Sequence, residues 1–495
     1  MPTGSSPDSR LTTWLPGRVV AEQVFSRAAG APLLSGNSIR LLEDARENYP
    51  AWISSIESAH RTIHFEMYII YEDRVGLQFS DLLIQKAREG VRVRVLYDWI
   101  GGLFKTSGRY WQRLREAGVE IRCFNPPRLE NPFGWLSRDH RKVIVVDSQV
   151  AFVTGLCIGQ MWRGYPERGI EPWRDTGVQI SGPAVADIEK AFAEVWGAAG
   201  KPMLPEDVPA RTSIESAGDV DLRVIATVPN MAGLYRLDNL VAALARHTLW
   251  LSDAYFVGVS SYVQALRSAA RDGVDVRLLV PGATDFPILR AISRSGYQPL
   301  LEAGVRVFEW NGPMMHAKTA VADGIWARVG STNLNIASWM GNYELDVAVE
   351  NGVFAQNMED MFLNDLENCS EVVLSKPNRV SLARKRPRPT FRDRNRTGSM
   401  GRAGAGTIRV SHTVGAALTE HRLLGHAEAK ITGAAGLLFI IIALAGFLWP
   451  LSLTVPISIF SAWLATSLLI RTYKLIVGKK QKHEISQQGP PSCKR

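Results

Sequence analysis

The chain has 495 residues, 46% of them hydrophobic and 21% charged, which allows a large buried core and two or three domains and excludes a wholly disordered protein. Its four cysteines, Cys123, Cys157, Cys369 and Cys493, are scattered without a C-x2-C pair, which argues against a disulfide scaffold or a structural zinc and suits a reducing compartment. The net charge of +9 is uneven and gathers towards the C-terminus, so part of the chain is not an ordinary folded domain.

Residues 1–36 carry Ser, Gly and Pro, are weakly patterned, and read as an N-terminal extension; no apolar run follows the first charges, so no signal peptide is expected. From Asn37 helical and strand patterns alternate: a helix around 49–59, a strand at 62–70, a helix around 77–88, a turn at Gly90 and a strand at 91–97. Strands separated by helices of this length imply βαβ units, an α/β fold and a largely parallel sheet. The same order then recurs. Ala87-Arg88-Glu89-Gly90-Val91 answers to Ala270-Arg271-Asp272-Gly273-Val274, and Glu116-Ala117-Gly118-Val119 to Glu302-Ala303-Gly304-Val305. Gly90 and Gly273 read as helix C-caps before a strand. The chain is therefore a duplication, with halves at 37–210 and 211–375 related by pseudo-two-fold symmetry. The first half has an insertion at 126–138, whose Pro132, Phe133, Trp135 and Leu136 suit a lipid-facing entrance or an ordinary surface loop.

Beyond the second half, 376–430 is a basic linker expected to be disordered; Asp393 is the only acid between Lys376 and Arg409. No charge occurs from Ile431 to Ile470, about twice the ~20 residues that cross a bilayer once. With Trp449-Pro450 near its middle, 431–470 is expected to form a transmembrane helical hairpin. Arg422 and Lys430 precede it and Arg471, Lys474, Lys479 and Lys480 follow it, so both ends, including the basic tail 471–495, are expected in the cytoplasm.

Each half carries the spacing H-x-K-x4-D: His140, Lys142 and Asp147 in the first, His316, Lys318 and Asp323 in the second, where Gly330-Ser331-Thr332-Asn333 follows. Both triplets run into short apolar stretches that read as buried strands. Alternation along a strand puts each imidazole and its ammonium on one face, a pairing suited to phosphate. Two such pairs brought together suit phosphodiester exchange: one imidazole attacks phosphorus and the other protonates the leaving oxygen. The two lysines and Asn333 would hold the non-bridging oxygens. The scheme needs neither metal nor cofactor.

These residues resemble the HKD motifs of the phospholipase D superfamily, and from about Asn37 to Asn351 the chain is similar to the bacterial cardiolipin synthases. The resemblance implies two tandem phospholipase D-like half-domains, with Glu344 and Asp175 as the acids that orient the catalytic imidazoles. It makes Asp147 and Asp323 mainly structural members of the motif, and favours His140 as nucleophile and His316 as acid/base. Two departures stand out. Thr154-Gly155-Leu156-Cys157 places a thiol, a weak donor, where an Asn amide is expected, which should weaken one phosphate contact. The anchor lies at the C-terminus, whereas the synthases usually carry theirs at the N-terminus.

The implied function is a membrane-anchored phosphatidyltransferase acting through a phosphohistidine, with phospholipids, phosphatidylglycerol foremost, as substrates. It would sit in the bacterial inner membrane with its catalytic region cytoplasmic. The alternatives are a phospholipase D that makes phosphatidic acid, a nuclease using the Arg-rich linker, and a lipid-binding scaffold with a decayed first site. Nucleic acid is disfavoured as a partner by the apolar hairpin and by the isolation of Phe391 in the basic run.

Overall fold

The structure, a computed structural model, describes residues 18–127, 137–284, 293–294, 296–375 and 379–382, with separate positions between 437 and 469. Among the described residues, runs of Val, Ile, Phe and Thr form seven strands in each half. In the first they are β1 (Leu34–Glu43), β2 (Thr62–Met67), β3 (Arg92–Asp98), β4 (Glu120–Phe124), β5 (Lys142–Val146), β6 (Val150–Thr154) and β7 (Thr176–Ser181). In the second they are β8 (Val220–Thr227), β9 (Thr248–Ser252), β10 (Asp275–Pro281), β11 (Arg306–Trp310), β12 (Thr319–Ala322), β13 (Trp326–Gly330) and β14 (Glu344–Glu350). β15 (Cys369–Ser375) and β16 (Arg379–Leu382) are appended at one edge.

All sixteen form one sheet. Outwards from the central β8–β1 pair the order is 8-14-13-12-9-10-11 on one side and 1-7-6-5-2-3-4 on the other. Strand for strand the halves are equivalent, as the duplication implied. The expectation of a largely parallel sheet needs correcting. Only β2–β3–β4 and β9–β10–β11 run parallel, and the remaining pairs are antiparallel. Helical crossovers give parallel neighbours, but the motif strands β5 and β12 turn straight back into β6 and β13 as hairpins. Gly90 (φ +92°) and Gly273 (φ +94°) hold the left-handed conformation that a helix C-cap requires.

One apolar cluster crosses the seam, with Val143, Val145, Val178 and Ile180 of the first half packing among Val321, Val329, Leu345 and Val347 of the second. Each such side chain contributes roughly 1.5–3 kcal/mol on burial, so the halves stabilise one another. Two expected boundaries move. The helix Arg18–Ala29 packs Phe25 and Ala29 against Leu234, Leu237 and Val241 of the second-half helix Gly233–Leu244, so the segment before Asn37 is more than an extension. The expected linker gives up Arg379–Leu382, which alternates like a strand and pairs with β15.

A second compact unit comprises 125–137 and 408–495. Its described positions from 437 are helical, with Leu437, Ile440, Leu444 and Leu448 exposed at three- and four-residue spacing. Among the described residues no helix is long and apolar enough to cross a membrane. Most of the expected hairpin at 431–470 lies outside them, as do the tail 471–495, the rest of the linker and the loop residues Pro132 to Leu136.

Candidate active site

Backbone pairing across the seam sets the site. His140 N–H donates to the Tyr343 carbonyl (2.9 Å) and Tyr343 N–H to that of Arg138 (2.8 Å). In the other half His316 N–H donates to the Arg174 carbonyl (2.7 Å) and Arg174 N–H to that of Met314 (2.9 Å). Each histidine is thus stitched to the residue that precedes the other half's acid. The side chains follow: His140 Nδ1 meets Glu344 Oε2 at 2.9 Å, and His316 Nδ1 meets Asp175 Oδ2 at 2.6 Å. The acids are exchanged between halves, which spacing along the chain did not reveal. A carboxylate at Nδ1 fixes the proton there and leaves the lone pair on Nε2.

Both imidazoles are buried. Burial pushes His140 down to about 4, with Glu344 opposing and Lys142 and, to a smaller extent, Lys318 adding to the fall. His316 is likewise pushed down to about 4 by burial, then Lys318, with Asp175 opposing and Lys142 adding. Each imidazole therefore feels both ammonium groups. Burial also lowers Lys318 to about 8. Burial works to raise Asp175 and Glu344, but their histidines and the nearby lysines outweigh it and hold both carboxyls below the usual range. Each lysine Nζ folds back to donate to the carbonyl of its own histidine, and Lys318 Nζ lies 3.0 Å from His316 Nδ1.

The two acids are supported differently. Ser331 Oγ donates to Glu344 Oε2 (2.6 Å) and Asn342 Nδ2 to Oε1 (3.3 Å). The position equivalent to Ser331 is Gly155, where a Cβ would lie 2.1 Å from Asp175 Oδ1. Asp175 instead accepts from the indole Nε1 of Trp162 (3.1 Å) and from Thr176 N–H (2.9 Å). The Trp162, Trp173 and Tyr255 rings surround His316 at 5.7, 5.6 and 6.1 Å between centroids, while the Tyr68 ring stands 4.8 Å from His140. Cys157 and Asn333 occupy equivalent positions and both are buried; Asn333 Oδ1 has no hydrogen-bond partner among the described residues. Burial raises the Cys157 thiol, although both lysines act against this. It is not poised as a thiolate.

Asp147 and Asp323 lie apart from the imidazoles. Asp147 accepts from the N–H groups of His60, Arg61 and Thr62 (each 2.8 Å), and Asp323 from those of Arg246 (2.9 Å), His247 and Thr248 (both 2.8 Å). They fasten the starts of β2 and β9. Trp162 and Arg141 were not singled out from the sequence. Trp162 carries no spacing signal. Arg141, between His and Lys, looks like filler but is fully buried and donates to the carbonyls of Glu344 (3.1 Å), Ala191 (2.6 Å) and Thr227 (3.1 Å). Among the described residues no group of three or more His, Cys, Asp or Glu is arranged to hold a metal ion.

The family model "Cardiolipin synthase, PLD-like domain" matches residues 52–196 and 241–366, one segment in each half. The chain belongs to this family. Relatives include cardiolipin synthases of Alkalihalophilus pseudofirmus (33% identical, covering 70% of this chain and 69% of the relative) and Geobacillus kaustophilus (34%, covering 71% of each). The cardiolipin synthase A of Pseudomonas entomophila is 33% identical over 69% of this chain and 71% of its own. Among solved structures, the phosphatidylserine synthase of Haemophilus influenzae shares the fold, with a TM-score of 0.56 at 13% identity over 70% of this chain and 91% of its own. Membership makes the chain a phosphatidyltransferase of the phospholipase D superfamily.

Proposed function

We propose that the protein transfers a phosphatidyl group from one phospholipid to the primary alcohol of another, as a cardiolipin synthase does, with phosphatidylglycerol as donor and acceptor. The observation that carries this reading is the pair of crossed histidine–acid contacts, each imidazole lying under the influence of both lysines. In the first step Nε2 of one histidine bonds to phosphorus. The bond to the leaving glycerol oxygen breaks, and that oxygen takes a proton from the second histidine. In the second step the acceptor hydroxyl returns a proton to the second histidine and attacks phosphorus, and the phosphorus–nitrogen bond breaks. His140 is assigned as nucleophile and His316 as acid/base; the shorter carboxylate contact at His316 favours the charged imidazole that an acid must carry. Lys142, Lys318 and Asn333 stabilise charge on the non-bridging oxygens.

The uncharged stretch 431–470 between basic flanks supports an anchor in the bacterial inner membrane, with the catalytic region on the cytoplasmic side. The exposed row Leu437, Ile440, Leu444 and Leu448 supports it too.

Purified full-length protein in phosphatidylglycerol vesicles, with products read by mass spectrometry, tests the reading. Cardiolipin and glycerol in equal amounts are expected. Phosphatidic acid alone would make water the acceptor, and inert lipid with cleaved DNA would point to a nuclease. Trapping the phosphorylated peptide tests the assignment of His140.

A further inference from the structure

Phe104 is 82% exposed, and its φ of +58° lies in the left-handed region that a phenylalanine adopts at a cost. Its loop is pinned on both sides. Asp98, the last residue of β3, accepts from the N–H groups of Ile100 (2.8 Å) and Gly101 (3.1 Å). Lys105 N–H donates to the Gly102 carbonyl (3.1 Å), Glu72 N–H to that of Lys105 (3.0 Å), and Ser107 N–H to the Glu72 carboxylate (2.7 Å). Gly101 packs so closely on Tyr68 that a Cβ would sit 1.7 Å from its carbonyl oxygen. These fastenings leave the phenyl ring in solvent.

The same Asp98 holds the catalytic segment. Its carboxylate accepts from Asp139 N–H (3.0 Å) and from Arg138 Nη1 (3.1 Å), immediately before His140. Phe104 is thus mounted, through one carboxylate, on the residues that carry an imidazole. The second half presents another exposed apolar tip, after a strand that is not the equivalent of β3. Met231, 51% exposed, follows Asn230 (φ +68°) in the turn after β8, whose last residue Thr227 lies opposite Glu344. Both tips therefore leave the sheet at the strand ends where the acids and imidazoles meet.

Two isolated apolar tips are a poor match for a protein partner, which would need roughly 800 Å² of surface on each side. A bilayer fits better, because shallow insertion works with few apolar side chains helped by cations at the headgroups. Lys105 and the exposed Arg109 flank Phe104. We propose that Phe104 and Met231 seat the catalytic face in the headgroup layer of an anionic bilayer, so that a lipid phosphate reaches the imidazoles while its acyl chains stay in the membrane. The proposal rests on the lipid-transfer reading above.

The full chain and its Phe104→Ser, Met231→Ser and Phe104→Trp variants would be compared on two substrates: phosphatidylglycerol vesicles, and dihexanoyl-phosphatidylglycerol kept below its micelle concentration. Phe104→Ser should slow vesicle turnover about tenfold, as loss of one buried phenyl group implies, and leave the dispersed lipid untouched. Met231→Ser should act in the same direction, and Phe104→Trp should retain the vesicle rate. Equal losses on both substrates, or no loss on vesicles, would overturn the proposal. If the unaltered chain turns over neither lipid, the functional reading fails and the tips are judged by depth. A fluorophore on Phe104→Cys, corrected for the labelled parent, should be quenched by brominated acyl chains. One on Glu89→Cys, at the opposite end of the sheet, should not be. Equal quenching, or none, would count against the tips.

Discussion

Trp162 and Ser331 perform one task for opposite acids: each donates a hydrogen bond to the carboxylate that orients a histidine of the other half. The duplication has kept the task and changed the donor, because Gly155 has no side chain and Asp175 fills the space a Cβ would need. Removing the indole N–H forfeits a hydrogen bond to a charged acceptor, worth about 1.5–3 kcal/mol. Trp162→Phe, which keeps most of the ring packing, should therefore lower kcat by roughly 10- to 100-fold and leave KM close to its original value. The pH profile separates this role from simple packing. A carboxylate that loses a donor becomes easier to protonate, so the acid limb of the kcat profile should move to higher pH. Steady-state kinetics between pH 4 and 8 would show it. A loss confined to KM, or an unmoved limb, would make Trp162 a packing residue.

At the scale of elements, Asp147 and Asp323 are the clearest sign that a motif residue can belong to the fold. Each takes a left-handed backbone (φ +52° and +51°) at the turn between its motif strand and the next, and each caps three successive N–H groups at the start of a neighbouring strand. Asp323→Ala should cost about 2–4 kcal/mol of stability, since it leaves those donors without a charged acceptor and puts Ala in a left-handed turn. Urea unfolding would measure the loss, and kcat per folded molecule should stay within about twofold if the role is structural. Much of this level was legible in the sequence. The repeated Ala-x-x-Gly-Val joints announced the duplication, and the H-x-K-x4-D spacing placed two histidines and two lysines. What was not legible depends on contacts across the seam. Glu344 stands eleven residues after Asn333 and 204 from His140, and nothing in that spacing says which imidazole it serves; the pairing of Tyr343 with Asp139 delivers it to His140. The helix Arg18–Ala29 escaped notice because its partner surface, Leu234 to Val241, lies in the other half. Arg141 gave no warning, since a buried arginine between two catalytic residues reads like an exposed one until its three carbonyl acceptors are known.

At the scale of the whole molecule the seam buries both imidazoles beside two lysines, and this decides their protonation. Burial and the two lysines push both imidazoles down to about 4, so at pH 6 both are almost wholly neutral in the free protein. Because the folded values lie below the usual 6.5, the linked stability is whole above pH 6.5 and drains as pH falls through about 4. Acid/base work, however, needs one imidazole charged. An anion held between the lysines supplies the missing opposite charge and should raise one histidine, so that binding takes up a proton from solvent. Sulfate is a suitable probe, since it does not titrate in this range. Lys318, lowered to about 8, is already charged at pH 6 and adds little uptake of its own. Calorimetric titration in two buffers of different ionisation enthalpy should report an uptake approaching one proton per sulfate at pH 6, with affinity weakening as pH rises towards 8. His316→Ala should abolish most of the uptake if His316 is the acid. Zero uptake in the unaltered protein would mean that one imidazole is already charged before any phosphate arrives, and that the crossed carboxylates, not burial, dominate the site.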